Sequence, residues 1–208
     1  MGLTVLDSQL DFLLACDQLK AVQRTTFLHD GSRAENSAEH SWHLALMALT
    51  LAEYAPAGTD MNQVVKLLLV HDLIEIGAGD LHFDSRPEDH AAQQQKEQAA
   101  AEALFGLLPA RQAAQFHALW HEFEAQVTVE ARFARALDAL QPMLLTWGRG
   151  GLGCSESYPE LTRERLLKLK EPRLQEGEFK LLAHASDGGS VPQVGCDSPT
   201  PFWVCYSV

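Results

Sequence analysis

Two adjacent residues, His71 and Asp72, follow the apolar run "VVKLLLV", where an imidazole and a carboxylate are out of place. Burying both groups is costly unless they are paired with each other or bind a cation. Asp138 interrupts a second apolar stretch, "RFARALDALQPML", and His40 stands at the start of a third, "HSWHLALMALTLAEYA". These four side chains are therefore the candidates for a buried metal site.

Two imidazoles and two carboxylates form a mixed nitrogen and oxygen ligand set, which suits cobalt, manganese, zinc or magnesium. Such an ion lowers the pKa of a bound water and can supply hydroxide at neutral pH. Glu75 lies four residues after His71 and three after Asp72, so its carboxylate should project from the same end of the same helix. The ligands are far apart in the sequence, and only a folded bundle could assemble them.

The elements that must position these residues all have helical periodicity, and strands with an alternating pattern are not evident. Asn36 and Glu39 fit a capping box ahead of His40. The segment "RTTFLHDGSRAENS" is expected to be a loop. We expect helices at about 6–22, 37–55, 62–76, 89–106, 109–124 and 128–147, and a last one in "YPELTRERLLKLK".

Composition narrows the class of protein. The net charge of 16 − 28 = −12 disfavours nucleic acid and anionic membranes as partners. The sequence contains no run of 18 apolar residues, so no membrane span is predicted. The first residues do not resemble an export signal. Four dispersed cysteines favour a reducing cytoplasm. We expect one catalytic domain over 1–183 and a poorly ordered Gly/Pro/Ser-rich tail over 184–208.

Taken together, the motifs resemble those of the HD-domain metal-dependent phosphohydrolases, and most closely the HD-domain 5'-deoxynucleotidase family. The resemblance rests on "LKAVQRT", "ENSAEHSWHLALMA", "LLLVHDLIEIGAGDL" and "LWHEFEAQVTVEARFARALDALQPML". It implies an all-α HD-domain helical bundle that hydrolyses nucleoside 5'-monophosphates to nucleoside and phosphate. It also implies a homodimer and one divalent metal ion per chain, for which cobalt, manganese, zinc, magnesium, iron and nickel all remain candidates.

The resemblance also assigns roles to individual residues. Glu75 matches an acid near the metal-bound water, and Asp80 matches a second acid beside the substrate. Arg24 matches an arginine that faces the phosphate, whereas the family's next residue, a tryptophan that tests the sugar's 2' position, is here Thr25. The preference for deoxyribose over ribose therefore stays open. The residues that match the family's metal ligands are His40, His71, Asp72 and Asp138.

Three other functions remain open. The same metal site could serve a different phosphate ester or nucleotide. A di-iron oxygenase would need further histidine ligands, for which His43 and His82 are the candidates. A non-catalytic metal-dependent nucleotide sensor would need neither Glu75 nor Asp80, so the presence of both acids disfavours it.

Overall fold

A computed structural model describes the backbone of residues 4–79 and 87–147, and the side chains of 4–79 and 93–146. Asp80, His82, the expected helix in "YPELTRERLLKLK" and the expected tail over 184–208 lie outside the described residues.

The described part contains seven α-helices, three 3-10 turns and one short β-hairpin, and the all-α fold class is confirmed. None of the described helices is both long and apolar enough to cross a membrane. The elements, in chain order, are α1 (Val5–Cys16), β1 (Gln23–Phe27), β2 (Ala34–Asn36), α2 (Ser37–Thr50), α3 (Met61–Val70), α4 (Glu75–Ala78), α5 (Pro87–Phe105), α6 (Ala110–Ala125) and α7 (Val129–Trp147).

The segment expected to be a loop contains the hairpin, so that prediction was wrong. Strands β1 and β2 pair antiparallel, with Gln23 opposite Asn36 and Phe27 opposite Ala34. Their inward-facing residues include Arg24 and Glu35, which are polar. These two strands therefore lack the alternation of apolar and polar residues that usually indicates a strand.

The apolar helix expected over 62–76 is divided into three parts. Helix α3 ends at Val70, a 3-10 turn runs from His71 to Ile74, and α4 begins at Glu75. Apolar side chains can be buried equally well by α-helical and 3-10 turns, so their spacing did not reveal the change. The expected helix over 6–22 is likewise shorter, because a 3-10 turn over Asp17–Ala21 follows α1.

Two apolar cores hold the turn that carries His71 and Asp72. The first joins α2, α3, α6 and α7 through fully buried side chains such as Leu44, Leu67 and Leu137. The second joins α1, α5 and α6 to the turn itself, where Ile74 packs in the same cluster as Phe105. The first core reaches the turn through Phe123, whose ring centroid lies 4.6 Å from that of His71, so both cores hold the turn in place.

Candidate metal centre

Helix α2 brings His40 to the site in its first turn. The Asn36 side chain accepts a hydrogen bond from the Glu39 backbone N–H at 3.0 Å, and the Glu39 carboxylate accepts one from the Asn36 N–H at 3.1 Å. This reciprocal capping box is the one expected from the sequence, and it sets where α2 begins. The His40 side chain, one residue further, is completely buried.

Asn36→Ala should lower the free energy of unfolding by about 1 kcal/mol, since it removes the cap of α2. It should also weaken metal binding, because the cap determines the direction in which His40 points. Chemical denaturation and competition with a metal chelator measure the two effects.

Thr4→Ala is the matched control, because Thr4 and Asp7 form an equivalent capping box on α1. It should cost similar stability and leave metal affinity unchanged. Equal metal affinities of the two variants would contradict the link between this cap and His40.

The four residues expected to bind metal come together from three parts of the chain. His40 Nε2 lies 3.0 Å from Asp138 Oδ1, and His71 Nε2 lies 3.0 Å from Asp72 Oδ1. His71 Nε2 is 3.8 Å from Asp138 Oδ1, and His40 Nε2 is 4.0 Å from Asp72 Oδ2. One ligand atom from each of His40, His71 and Asp72 lies within 4.8 Å of the others, and all three residues are buried.

These distances fit a shared cation. Neighbouring ligands at about 2.1 Å from an octahedral ion are about 3.0 Å apart, and opposite ligands are about 4.2 Å apart. His71 Nε2 is also buried and has no hydrogen-bond partner among the described residues, although a carboxylate oxygen is 3.0 Å away. A buried nitrogen close to a carboxylate but outside hydrogen-bond geometry suits coordination to an ion that both groups bind.

Both histidines present the same ring nitrogen to the site. His71 Nδ1 donates to the backbone carbonyl of Leu68 at 2.9 Å, which leaves Nε2 as the atom that faces the carboxylates. His40 Nδ1 lies 3.0 Å from Gln141 Oε1, and its Nε2 also faces the carboxylates. Metal-binding histidines commonly hold their second nitrogen in this way.

Charges within the cluster compensate one another. Burial lowers the pKa of His71, but the neighbouring Asp72 and Asp138 carboxylates outweigh it and raise that pKa to about 10. Burial raises the pKa of Asp138, yet the nearby His40 and His71 rings and the Arg135 guanidinium hold it well below its ordinary value. The carboxylates therefore retain their charge and favour a positive charge between them, which a divalent ion would supply.

The hairpin adds a cation beside this cluster. Arg24, on β1, donates from a terminal guanidinium nitrogen to Asp72 Oδ2 at 3.2 Å, and its Nε lies 3.6 Å from Glu35 Oε1. The predicted phosphate-facing arginine thus lies next to a predicted metal ligand. Thr25 is exposed and, as the next residue along the strand, points to the opposite face. The structure therefore does not bring Thr25 to the cluster.

Glu75 begins α4 and accepts a hydrogen bond from Ser37 Oγ at 2.6 Å. Ser37 is the first residue of α2, so this bond connects the start of the helix that carries His40 with the segment after Asp72. The Glu75 side chain is only partly buried, in contrast to the four predicted ligands. Its partner Ser37 was not identified from the sequence, since a serine at a helix start is ordinary.

Two further polar residues near the cluster were not assigned roles from the sequence. Gln141 is fully buried and contacts His40, Glu35 and His43. Its signal was a polar amide within the apolar stretch "LDALQPMLL", three residues after Asp138, which places both on one face of α7. Glu35 is 2% exposed, and burial raises the pKa of its carboxyl, opposed by His40, Gln141 and Arg24.

His43, a candidate ligand for a second iron, lies 3.2 Å from the Gln141 amide nitrogen. Burial, with a further contribution from His40, lowers its pKa, so it is neutral and can accept a hydrogen bond. Within residues 4–79 and 93–146, the group that could hold a metal does not include His43. A second iron site therefore has no support in this part of the chain.

Comparison with known protein families agrees with the resemblance seen in the sequence motifs. A family model described as HD domain matches residues 16–181. The 5'-deoxynucleotidase HDDC2 of Xenopus laevis is 35% identical over 141 residues, which cover 66% of this chain and 67% of that protein. The human protein of the same name is 31% identical over 141 residues, 66% of each chain. The match thus spans about two thirds of these relatives.

Solved structures are similar over a larger part of the chain. A protein from Magnetospirillum magnetotacticum MS-1, described as a predicted metal-dependent phosphohydrolase, superposes with a TM-score of 0.80 at 40% identity. The match covers 88% of this chain and 93% of that one. A conserved hypothetical protein from Pyrococcus furiosus has a TM-score of 0.61 at 27% identity, over 84% of this chain and 99% of its own.

Proposed function

The chain belongs to the HD domain family, and on that basis we propose that it is a divalent-metal-dependent phosphohydrolase of the 5'-nucleotidase type. Its substrates are nucleoside 5'-monophosphates, cleaved to nucleoside and phosphate. Relatives named 5'-deoxynucleotidases support this substrate class. The observation that carries the proposal is the buried cluster of His40, His71 and Asp72 with Arg24 beside it.

We assign the metal to His40, His71, Asp72 and Asp138, as one ion per chain. When bound, the ion supplies a hydroxide nucleophile at neutral pH and offsets charge on the phosphoryl group. Burial of the four ligands keeps competing water away from their side chains, and the two helices and the turn that carry them hold their relative positions.

The remaining groups act on substrate and protons. Arg24 presents guanidinium N–H groups beside Asp72, where they can bind the phosphate oxygens. Phosphoryl transfer depends mainly on such positioning and on charge stabilisation. Glu75 orients or deprotonates the attacking water, and Asp80 protonates the leaving 5' oxygen. The places of the two acids come from the family resemblance, whereas their roles as base and acid are a mechanistic hypothesis in which the two are exchangeable.

A phosphate-release assay across ribo- and deoxyribonucleoside 5'-monophosphates tests the proposal. The full chain is assayed with cobalt, manganese, magnesium, zinc, iron or nickel added, and elemental analysis counts the bound ions. We expect release from at least one nucleotide and about one ion per chain. Release only from other phosphate esters would contradict the substrate class, and no release from any ester would contradict the enzyme and favour a sensor.

Glu75→Gln should lower kcat by about 10²–10⁴-fold, the usual contribution of a general acid or base. Glutamine can still accept the Ser37 hydrogen bond, so the fold and the metal content should be retained. Steady-state kinetics with metal analysis check this, and Glu53→Gln, in the turn after α2, is the control. An unchanged kcat for Glu75→Gln would remove Glu75 from the reaction.

The assembly is proposed to be a homodimer in the cytoplasm. Helix α1 exposes several leucines in the described part of the chain, at fractions of 48–71%, and such apolar surface is typical of interfaces. These are Leu6, Leu10, Leu13 and Leu14. Light scattering should give about twice the 22.9 kDa of one chain, and a single-chain mass would contradict the dimer.

The cytoplasmic location rests on the four dispersed cysteines, and fractionation of cells tests it.

A further inference from the structure

Gln141 is a neutral residue with a fully buried side chain in the middle of the charged cluster. Its Oε1 lies 3.0 Å from His40 Nδ1. Its Nε2 lies 2.9 Å from Glu35 Oε2 and 3.2 Å from His43 Nδ1. The amide therefore uses its acceptor toward His40 and its NH₂ group toward Glu35 and His43.

This orientation of the amide follows from its partners. Glu35 Oε2 accepts a hydrogen bond from the Gln141 NH₂ group at 2.9 Å, so this end of the amide faces Glu35. Rotating the amide by half a turn would place two oxygens against each other at 2.9 Å. The Gln141 oxygen therefore faces His40, and the proton between them belongs to His40 Nδ1.

When Nδ1 carries the proton that Gln141 accepts, the nitrogen that can offer a lone pair to a metal is Nε2, which lies 3.0 Å from Asp138 Oδ1. Two acceptors at that distance repel each other unless a cation lies between them. The tautomer that Gln141 selects is thus the one in which His40 can bind a metal together with Asp138. In His71 a backbone carbonyl, that of Leu68, accepts from Nδ1 and selects the same tautomer. In His40 this acceptor is a side chain.

The same amide also reaches the arginine on the hairpin. Gln141 donates to one oxygen of Glu35, and the other Glu35 oxygen lies 3.6 Å from Arg24 Nε. Arg24 in turn donates to Asp72 at 3.2 Å. A continuous series of polar contacts thus runs from one predicted metal ligand, through Gln141 and Glu35, to the predicted phosphate-binding arginine.

Helix α7 carries both the predicted metal ligand Asp138 and Gln141, which contacts the other ligand His40. Asp138 and Gln141 are one turn apart on it, and Pro142 follows directly. Pro142 has no N–H, so it cannot donate to the carbonyl of Asp138, four residues earlier. The turn that carries Asp138 and Gln141 therefore lacks one helical hydrogen bond, and contacts of its side chains contribute more to its position.

We propose that Gln141 is a positioning residue that selects the metal-binding tautomer of His40 and, through Glu35, fixes the orientation of Arg24. The metal site itself rests on the proposed function. Gln141 contacts neither the reacting atoms nor the ion, so its effect should appear in metal affinity and in the state of the His40 ring as well as in turnover.

Gln141→Met tests the proposal, since methionine matches the length of glutamine but forms no such hydrogen bonds. We expect metal affinity, measured by competition with a chelator on the full chain, to fall about 10–100-fold. In zinc-loaded wild type, NMR should show a slowly exchanging His40 Nδ1 proton near the Gln141 amide, and this protection should be lost in the variant. Gln63→Met removes a comparable bond to Glu122 between α3 and α6 and should change neither measurement.

A second pair of variants separates hydrogen bonding from packing. Gln141→Glu retains an acceptor for His40 but places a second carboxylate against Glu35, so metal affinity should fall. Adding Glu35→Gln to that variant restores one donor and one acceptor across the contact, and metal affinity and the protected His40 proton should return. Failure of the double variant to recover, with wild-type-like unfolding, would overturn the proposal.

The results distinguish this proposal from the proposed function. If Gln141→Met binds zinc as tightly as wild type and keeps the protected proton, Gln141 has no positioning role, whatever the enzyme hydrolyses. If wild type binds zinc and shows the protected proton but releases no phosphate from any ester, the proposed function fails while the role of Gln141 stands.

Discussion

Asp72→Asn should abolish metal binding and lower kcat/KM for nucleoside monophosphates by about 10³-fold or more. A metal ion contributes several kcal/mol to such a reaction, and about 4 kcal/mol corresponds to 10³-fold in rate. Asparagine keeps the shape of the side chain but removes the charge that faces His71 at 3.0 Å and Arg24 at 3.2 Å. Elemental analysis of the purified chain and phosphate-release kinetics measure the two losses.

Asp60→Asn is the matched control at the opposite end of α3. Asp60 caps that helix by accepting a hydrogen bond from the Asn62 N–H at 2.9 Å, and asparagine caps equally well. This variant should keep its metal and its activity. Normal metal content and full activity in Asp72→Asn would refute the metal site and the mechanism built on it.

Arg24→Met should lower kcat/KM by about 10²–10³-fold while metal affinity is retained or increased. Removing a positive charge beside Asp72 takes away repulsion toward a divalent ion, so electrostatics predict no loss of metal. The substrate phosphate, in contrast, loses a charged two-pronged donor. This separation of metal affinity from turnover distinguishes a phosphate-binding arginine from a purely structural one.

Stability must be measured with the kinetics, because Arg24→Met leaves Glu35 buried without its nearby guanidinium. Breaking a buried pair in this way costs about 3–5 kcal/mol. Arg24→Lys keeps a charge near Glu35 and should recover stability but only part of the activity, because lysine lacks the planar fork. Arg111→Met, exposed at the start of α6, is the control. Full activity in both Arg24 variants would remove Arg24 from the substrate site.

Three of the four predicted ligands could be found from the sequence because each is a polar residue in a strongly apolar setting. His71 and Asp72 follow three consecutive leucines and a valine, and Asp138 stands between leucine and alanine. Such residues need partners when they are buried. The same reasoning did not separate His40 from His43 by itself, and the structure distinguishes them: His40 is fully buried in the cluster, whereas His43 is partly buried beside Gln141.

The local backbone structure was harder to predict from the sequence. Apolar spacing predicted one helix through His71, Asp72 and Glu75, whereas the chain changes there from an α-helix to a 3-10 turn and then to α4. The hairpin was missed because the inward-facing side chains of its strands are an arginine and a glutamate, which have no apolar periodicity. Thr25 shows the consequence: its place beside Arg24 in the sequence puts it on the opposite face of a strand.

By itself, the sequence determined the family, the helical class and which side-chain types must be compensated when buried. The helical class and the need for compensation depend on composition and spacing, which are local, whereas the family was indicated by the resemblance of the motifs. Only the tertiary structure decided which atoms meet: Gln141 with His40, 101 residues apart, and Arg24 with Asp72, 48 residues apart. Contacts at such separations depend on how α2, α3, α7 and the hairpin pack, and the spacing of residues along one element does not contain that information.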